Sequence, residues 1–398
     1  MPQIEADLLS TIRSFSRAGD LKNLTFLAHA ERVAHISFHL GKQLGLSPIE
    51  LDELVQSALL HDIGIFSDVE QLLLADLEPV RGRVSAHCQR GHDLLAHTKL
   101  FSSFAKNVLE HHDYSSPTLR IVPAIIHLAD RIDILLDKKR YVLWQVDDLM
   151  EYFNSKSGSI FSPDVVDALR GLSHIPSFWL DLENGNYHFT DGSYSPTRLL
   201  SLDELEELAR MMAKLVDSKS PFTGDHSQGV TAVADFMARK LNMSERRVRL
   251  IKVAGLTHDI GKLAIPDEIL MHPGALSREQ RDVMKQHTYH SFYLLHSIGP
   301  GANRLAGWAA FHHERLNGTG YPFALTAPDL DTEARMMAVA DISQSLLEER
   351  PYRKAMSKDK VTNILYNNVQ AGHIDPELTD LAIAHLDDII ELLAQYQG

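Results

Sequence analysis

The residues best suited to metal chemistry lie in Thr257-His258-Asp259-Ile260-Gly261-Lys262, which places an imidazole, a carboxylate and an ammonium within six consecutive positions. Imidazole and carboxylate are common ligands of divalent transition metals, and an ammonium attracts anions. Neighbouring helical side chains point roughly 100° apart, so His258 and Asp259 can share an ion only at that edge of the helix. The segment predicts either a metal site that recruits ligands from elsewhere or a polar helix end with Gly261 as its stop.

The same cluster occurs in the first half of the chain, as Leu59-Leu60-His61-Asp62-Ile63-Gly64. In each half an upstream histidine, His29 or His226, precedes the His-Asp pair by 32 residues. A single histidine, two adjacent histidines and an aspartate then follow in the same order in both halves. The candidate ligands of the first half are His29, His61, Asp62, His87, His111, His112 and Asp130, and those of the second half are His226, His258, Asp259, His287, His312, His313 and Asp341. This repetition predicts a duplicated domain.

The segments around both patterns have helical character. Ser47-Pro48-Ile49-Glu50 has the spacing of a capping box with proline at the first helical position, and apolar residues follow at helical intervals. A loop-like run at 191–196 precedes a second cap, Ser201-Leu202-Asp203-Glu204. We therefore predict an all-α fold of two tandem helical domains of one type, residues 1–200 and 201–398.

One stretch departs from the helical pattern. Residues 178–182 and 186–189 are rich in aromatic and aliphatic side chains, and Asn184-Gly185 lies between them. This pattern predicts a short β-hairpin.

Length and composition limit the class of protein. A chain of 398 residues is long enough for two cores, and 44% apolar with 23% charged residues is typical of a soluble globular protein. The absence of a membrane span or a secretion signal, and the single cysteine Cys88, favour a cytoplasmic protein with no intramolecular disulfide and no membrane partner. The net charge of -14 opposes binding to polymeric nucleic acid but permits a small anionic ligand.

The ligand set of the second half exceeds the needs of one ion, because open catalytic sites commonly use three or four protein ligands. We therefore expect two divalent ions bridged by Asp259. The expected ligands are His226, His258 and Asp341 on one ion and His287, His312 and His313 on the other. Imidazole and carboxylate without thiolate suit iron or manganese best, with zinc, nickel and cobalt as alternatives.

Two ions ~3.5–4 Å apart can hold a bridging hydroxide and bind the oxygens of a phosphodiester during in-line attack. Lys262 follows His258 by about one helical turn, so its ammonium can reach a non-bridging phosphate oxygen and offset the charge of the transition state. The alternative is a solvated lysine at a helix end. The equivalent residue of the first half is Ile65, which favours a functional role for Lys262.

The second half resembles the HD-GYP phosphodiesterases, a bacterial branch of the HD-domain metal-dependent phosphohydrolases, over roughly residues 220–385. The motifs that carry the resemblance are His258-Asp259-Ile260-Gly261-Lys262, Ile265-Pro266-Asp267-Glu268-Ile269-Leu270, His312-His313-Glu314-Arg315-Leu316-Asn317-Gly318-Thr319-Gly320-Tyr321-Pro322 and Arg350-Pro351-Tyr352-Arg353. The resemblance implies hydrolysis of a cyclic dinucleotide, cyclic di-GMP or 3',3'-cyclic GMP-AMP, to the linear dinucleotide in bacterial second-messenger signalling. It also implies that Asp259 and Lys262 are catalytic and that Lys262, Tyr321, Arg350 and Arg353 contact the substrate.

This chain departs from the family pattern in three places. Asn317 stands where aspartate is usual, and the loop 327–332 is a weakened version of its counterpart. Phe222 stands where some members have a glutamate that helps to hold a third ion, so we expect two ions rather than three. The first half keeps its ligand set but lacks the Gly-Tyr-Pro loop, which implies a degenerate HD domain that does not turn over substrate.

Two other functions compete with the phosphodiesterase. A cyclic-dinucleotide-binding signalling module would need the ligands but little or no turnover, and a mononucleotide phosphohydrolase would not need the Gly-Tyr-Pro loop. The complete ligand set of the second half and Lys262 favour an enzyme. The choice between the two cyclic dinucleotides stays open at this point.

Overall fold

A computed structural model describes residues 5–21, 27–65, 67–68, 70, 81–113, 120–190, 198–219, 226–349 and 355–396, with the backbone alone at 81–85. The secondary structure of these residues is helical apart from isolated β-bridges, which confirms the predicted all-α class. None of the described helices is both long and apolar enough to cross a membrane.

Most helices are short and are joined by tight turns. In chain order they are α1 Leu8–Asp20, α2 His29–Gln43, α3 Pro48–Leu60, α4 Arg81–Ala96, α5 Ala105–Glu110, α6 Ile121–Leu135, α7 Val146–Lys156, α8 Pro163–Ser173, α9 Pro176–Asn184, α10 Leu202–Lys219, α11 His226–Lys240, α12 Glu245–Thr257, α13 Asp267–Leu270, α14 Arg278–Met284, α15 Gln286–His296, α16 Asn303–Ala310, α17 Thr332–Leu347, α18 Lys358–Gln370, α19 Pro376–Ala384 and α20 Leu386–Ala394. Short 3-10 helices cover Val142–Gln145, Ile260–Ala264, Phe311–His313 and Ala327–Asp329. Both capping boxes are present, since Ser47 and Ser201 each exchange hydrogen bonds with the glutamate three residues later.

The chain divides into two compact domains. The first domain is Gly19–Arg198, and the second domain is Leu199–Gly398 together with Met1–Ala18. In this division Met1–Ala18 belongs with the second half of the chain, whereas the sequence alone placed it in the first domain. The backbone N–H of Leu200 donates to the carbonyl of Ala6 at 2.8 Å, and that of Asp7 donates to Ile298 at 2.9 Å.

The start of the chain joins the second domain because α1 is amphipathic. Its apolar residues Leu8, Ile12 and Phe15 are spaced at helical intervals and are buried. The Ser14 hydroxyl also donates to the Leu294 carbonyl at 2.5 Å. Burial of these apolar side chains stabilises the contact between α1 and the second domain. The position of α1 in the sequence does not reveal this contact.

Each domain has the same arrangement around its ligand set. In the first domain α2 packs against α3 and α6, and α4 packs against α5. In the second domain α11 packs against α12 and α17 in the same way, and α15 packs against α16. The helices of each set carry or directly precede the histidines and aspartates of the repeated pattern, so the duplication predicted from sequence is present in the fold.

The predicted hairpin is wrong. Residues 176–184 form α9, with Pro176 in its first turn and Phe178 and Trp179 buried. Gly185 has a φ of 73° and its N–H donates to the carbonyl of Asp181, which ends the helix. The Asn-Gly pair therefore ends a helix here, because left-handed glycine suits a helix C-terminus as well as a hairpin turn.

Gly261 is required by a close backbone contact and is not the end of α12, which ends at Thr257. A Cβ atom at Gly261 would lie 1.9 Å from the carbonyl oxygen of His287, and a Cβ at Gly64 of the first domain would lie 2.1 Å from that of His87. The N–H of Gly261 donates to the Ser291 hydroxyl, which donates to the carbonyl of His258. The glycine thus lets the His-Asp turn lie directly against α15.

We predict that Gly261→Ala destabilises the second domain by about 1–3 kcal/mol or more, because a backbone atom cannot move aside as a flexible side chain can. Chemical denaturation measures the change in unfolding free energy. Gly274→Ala is the matched control, since the nearest atom to its added Cβ lies 3.8 Å away. Equal stability of the two variants would contradict the close contact.

Candidate metal centre and active site

Asp259 lies between two groups of histidines. Its Oδ2 atom is 3.1 Å from Nε2 of His258 and 3.5 Å from Nε2 of His226. Its Oδ1 atom is 3.4 Å from Nε2 of His287 and 3.9 Å from Nε2 of His312. Each oxygen of the carboxylate therefore faces a different histidine group, which is the arrangement expected of a bridging ligand.

The remaining predicted ligands join the same cluster. Asp341 Oδ1 lies 3.4 Å from Nε2 of His226. The ligand atoms of His287, His312 and His313 all lie within 4.8 Å of one another, as do those of His226, His258 and Asp259. The structure brings together all seven residues that the sequence predicts.

The second ring nitrogen of four histidines is held by an oxygen, which fixes the orientation of each ring. The Nδ1–H groups of His226, His258, His287 and His312 donate, respectively, to Gln344 Oε1 and to the carbonyls of Gly255, Met284 and Ala309, at 2.7–2.8 Å. Their Nε2 lone pairs are therefore directed into the cluster.

The cluster fits divalent metal ions. Among the described residues, Nε2 of His258 and Oδ1 of Asp259 have no hydrogen-bond partner, although both atoms are buried. A buried polar atom without a partner costs about 1–3 kcal/mol. Cations bound between these atoms would satisfy them, and three-histidine and histidine-carboxylate groups are normal donor sets for such ions.

The charge states around the cluster also suit cations. Burial alone would raise the pKa of Asp259, but His258 and Lys262 hold it well below its ordinary value. Asp341 is also opposed by burial, yet neighbouring histidines lower its pKa to about 2. Burial lowers the pKa of His226 to about 4 and that of His287 to about 3. The carboxylates are thus charged at neutral pH and these two imidazoles are neutral, as ligands must be.

Two residues expected to act on the substrate lie at the edge of the cluster. Lys262 belongs to the 3-10 turn after Asp259, and its Nζ lies 2.5 Å from Asp259 Oδ2. The Tyr321 ring lies 4.9 Å from that of His313, centroid to centroid. Burial raises the pKa of the Tyr321 phenol, so its hydroxyl stays protonated and can donate a hydrogen bond.

Glu314 holds the loop that carries Tyr321, a role that sequence reasoning missed. Its buried carboxylate accepts hydrogen bonds from the backbone N–H groups of Phe323 at 2.7 Å and Leu325 at 3.0 Å. Gly320 packs so closely that a Cβ there would lie 2.4 Å from the backbone of Glu314. The one feature of the sequence that could have indicated this role is that Glu314 directly follows the pair His312-His313.

The structure gives a reason for one departure from the family pattern. Asn317 Nδ2 donates to the carbonyl of Ala371 at 2.8 Å, and its Oδ1 accepts from Thr319. Aspartate could not make the first of these bonds, because an ionised carboxylate has no donor. In the loop 327–332, Arg335 donates to the carbonyls of Ala327 and Leu330, so this weakened motif is still fixed in place.

Three residues singled out from the sequence lie outside the described residues: Phe222, Arg350 and Arg353. Their expected roles at a third ion site and at the substrate stay predictions.

Lys219, at the end of α10, holds the 3-10 turn from behind. Its buried ammonium lies 3.1 Å from the carbonyl oxygen of Leu263, 3.2 Å from that of Ile265 and 3.5 Å from that of Lys262. It also lies 3.6 Å from the Asp267 carboxylate. The buried ammonium of Lys219 thus offsets the partial negative charge of the carbonyl oxygens at the end of the turn that positions Asp259 and Lys262.

Comparisons with known proteins agree with this geometry. The sequence matches the HD domain family twice, over residues 26–135 and 210–378. It is 29% identical over 398 residues to the 3'3'-cGAMP-specific phosphodiesterase 1 of Vibrio cholerae, covering 95% of this chain and 91% of that protein. It is 34% identical over 204 residues to the cyclic di-GMP phosphodiesterase response regulator RpfG of Xanthomonas campestris, covering 50% of this chain and 53% of that protein.

A solved structure has the same fold. The crystal structure of the cyclic GMP-AMP specific phosphodiesterase V-cGAP3 of V. cholerae aligns with a TM-score of 0.66 at 24% identity, covering 96% of this chain and 98% of that one. The chain belongs to the HD-domain family, carries two copies of the domain and is related to the HD-GYP phosphodiesterases, as the sequence motifs indicated.

We predict that Lys219→Met lowers the unfolding free energy by about 1.5–3 kcal/mol, the scale of a hydrogen bond to a charged group. Turnover should fall as well, because the turn that carries Lys262 loses its support. Thermal unfolding and steady-state kinetics measure the two effects. Lys214→Met changes an exposed residue of the same helix and is the control. If the Lys219 variant had the same stability and turnover as this control, Lys219 would not support the turn.

Proposed function

We propose that the second domain hydrolyses a cyclic dinucleotide to the linear dinucleotide, and that 3',3'-cyclic GMP-AMP is the preferred substrate. The single observation that carries the reaction type is the Asp259 carboxylate, whose two oxygens face two separate histidine groups 3.1–3.9 Å away. That arrangement suits a two-ion phosphodiesterase. HD-domain relatives with phosphodiesterase activity support the same reaction.

The substrate preference rests on how far the relatives align. Two relatives that align over 95% and 88% of this chain, and so across both domains, are named 3'3'-cGAMP-specific phosphodiesterases. The cyclic di-GMP phosphodiesterases RpfG and PA4108 of Pseudomonas aeruginosa align over 50% and 46% of this chain, about half its length. Parallel turnover assays of both cyclic dinucleotides test the preference, and a higher kcat/KM for cyclic di-GMP would overturn it.

The residues divide the work of hydrolysis. Divalent ions, iron or manganese on this ligand set, supply Lewis acidity toward the phosphate and lower the pKa of bound water. Asp259 faces one histidine group with each of its two carboxylate oxygens and would be a ligand shared by both groups. Lys262 places an ammonium beside the cluster, where it can bind a non-bridging phosphate oxygen and offset the charge that grows in the transition state.

Tyr321 lies beside the cluster and is a proposed binding residue. The Tyr321 ring, beside His313, is placed to stack on a base or to donate its hydroxyl to a phosphate. We keep Arg350 and Arg353 as proposed substrate contacts, because two guanidinium groups match the two phosphates of a cyclic dinucleotide. Water adds across one phosphodiester bond, and the departing sugar oxygen takes a proton.

Removal of the bridging carboxylate tests the site directly. We expect His258→Ala with Asp259→Ala to abolish hydrolysis and to release the bound metal, because Asp259 is shared by both ligand groups. The mirror variant in the first domain, His61→Ala with Asp62→Ala, should retain at least part of the activity. The opposite ranking in turnover and metal content would place catalysis in the other half.

Lys262→Ala should separate catalysis from metal binding. The ammonium is not a ligand, so metal content should stay unchanged while turnover falls on the order of 10²–10³-fold, the scale of one oxyanion contact. Elemental analysis and steady-state kinetics on the same preparation measure both quantities. A parallel loss of metal would make Lys262 a structural residue instead.

A further inference from the structure

The first domain contains a ligand cluster with nearly the same geometry as the catalytic one. Asp62 Oδ2 lies 3.3 Å from Nε2 of His61 and 3.7 Å from Nε2 of His29. Its Oδ1 lies 3.3 Å from Nε2 of His87 and 3.7 Å from Nε2 of His111. The four corresponding distances around the bridging aspartate of the second domain are 3.1, 3.5, 3.4 and 3.9 Å.

Two rings of this cluster, those of His61 and His111, are also oriented for ligation. The Nδ1–H of His61 donates to the carbonyl of Ala58 at 2.8 Å, and that of His111 donates to the carbonyl of Val108 at 2.6 Å. Oδ1 of Asp62, the oxygen beside His87 and His111, is buried and has no hydrogen-bond partner among the described residues. A polar core that merely satisfied itself would not leave this atom unpaired.

The two clusters differ in the charged groups behind the ligands. Arg131 occupies the position that Ile342 has in the second domain, and its Nε and Nη2 atoms lie 3.1 and 2.8 Å from Asp130 Oδ2. Asp130 corresponds to Asp341, an expected metal ligand, and its other oxygen, Oδ1, lies 3.4 Å from Nε2 of His29. Arg131 is 3% exposed, so its fixed charge lies in a poorly solvated site where charges interact strongly.

A second substitution adds to this difference. Asp133 stands where Gln344 stands in the second domain and accepts a hydrogen bond from Nδ1 of His29 at 2.7 Å. Arg32 and Lys138 neutralise it, with their nitrogens 2.5 Å from Asp133 Oδ1. Arg32, Lys138 and Arg131 therefore already supply positive charge on the side of the cluster around His29 and Asp130.

The other side of the cluster is formed by three histidines and the Asp62 carboxylate. The ligand atoms of Asp62, His87, His111 and His112 all lie within 4.8 Å of one another. Three imidazoles and one carboxylate form a complete donor set for one divalent transition metal.

We propose that the first domain binds one divalent transition-metal ion through Asp62, His87, His111 and His112, and that the Arg131 guanidinium replaces the second ion beside Asp130. This centre lacks the lysine of the catalytic turn, since Ile65 stands there, and the chain between His112 and Asp130 is too short for a Gly-Tyr-Pro loop. The ion stabilises the first domain and takes no part in hydrolysis.

The experiment uses the full chain with the second-domain centre disrupted by His258→Ala and Asp259→Ala, so that, among the described residues, the centre with a complete ligand set is the one in the first domain. Equilibrium dialysis against Mn²⁺, followed by elemental analysis, should find about one ion per chain. Mn²⁺ should also raise the melting temperature of this protein by mass action. Because the background has no catalytic centre, the result does not depend on the proposed function.

Two further variants in that background test the assignment. His87→Gln with His111→Gln should remove the ion and the Mn²⁺-dependent rise in melting temperature. If this pair fails to give the helical circular dichroism of the background, His112→Gln at the half-buried edge replaces it and should weaken Mn²⁺ binding on the order of ten-fold or more. Arg131→Ile, which copies the second domain, should add about one more ion per chain.

Each opposite result overturns part of the proposal. A folded background protein that binds no Mn²⁺ rules out the centre, and binding that survives the loss of His87 and His111 puts the ion elsewhere. An unchanged ion count in folded Arg131→Ile would show that the guanidinium does not replace an ion.

Discussion

The structure of the second domain depends on one buried carboxylate that must present its two oxygens to two different groups of histidines. Asp259 can do so only because the chain leaves α12 immediately before it and turns against α15, where Gly261 permits backbone contact with His287. Lys219 fixes the far end of that turn through three carbonyls. The oxygens that accept from Nδ1 of His226, His258, His287 and His312 complete the arrangement by directing the Nε2 atoms of these rings into the cluster.

The first domain shows how the same scaffold supports a different use. Asp62 has nearly the same surroundings as Asp259, but two neutral residues of the second domain, Gln344 and Ile342, are replaced in the first domain by Asp133 and Arg131. Charges supplied by the protein reduce the number of cations that a buried cluster needs. The first domain lacks the lysine and the Gly-Tyr-Pro loop of the second domain, yet the distances around its aspartate are nearly the same. Under the proposed function, catalysis belongs to the second half while the first half keeps its buried ligand cluster.

The ligand residues could be predicted from the sequence because their types and spacings repeat, and a repeated pattern of seven residues is improbable as a set of unrelated structural side chains. The supporting residues could not be predicted in the same way. Glu314 and Lys219 act on backbone groups that only the folded chain brings near them. The hairpin prediction was wrong because Asn-Gly ends a helix as readily as it turns a hairpin, and the position of α1 depends on a tertiary contact with no local signal.

Anomalous diffraction from crystals of the Mn²⁺-loaded protein shows whether the two oxygens of Asp259 serve two cation sites. We expect two anomalous peaks in the second domain ~3.5–4 Å apart, one at each oxygen of Asp259. One peak should lie among His226, His258 and Asp341, and the other among His287, His312 and His313. A single peak, or two peaks of which only one contacts Asp259, would contradict this expectation.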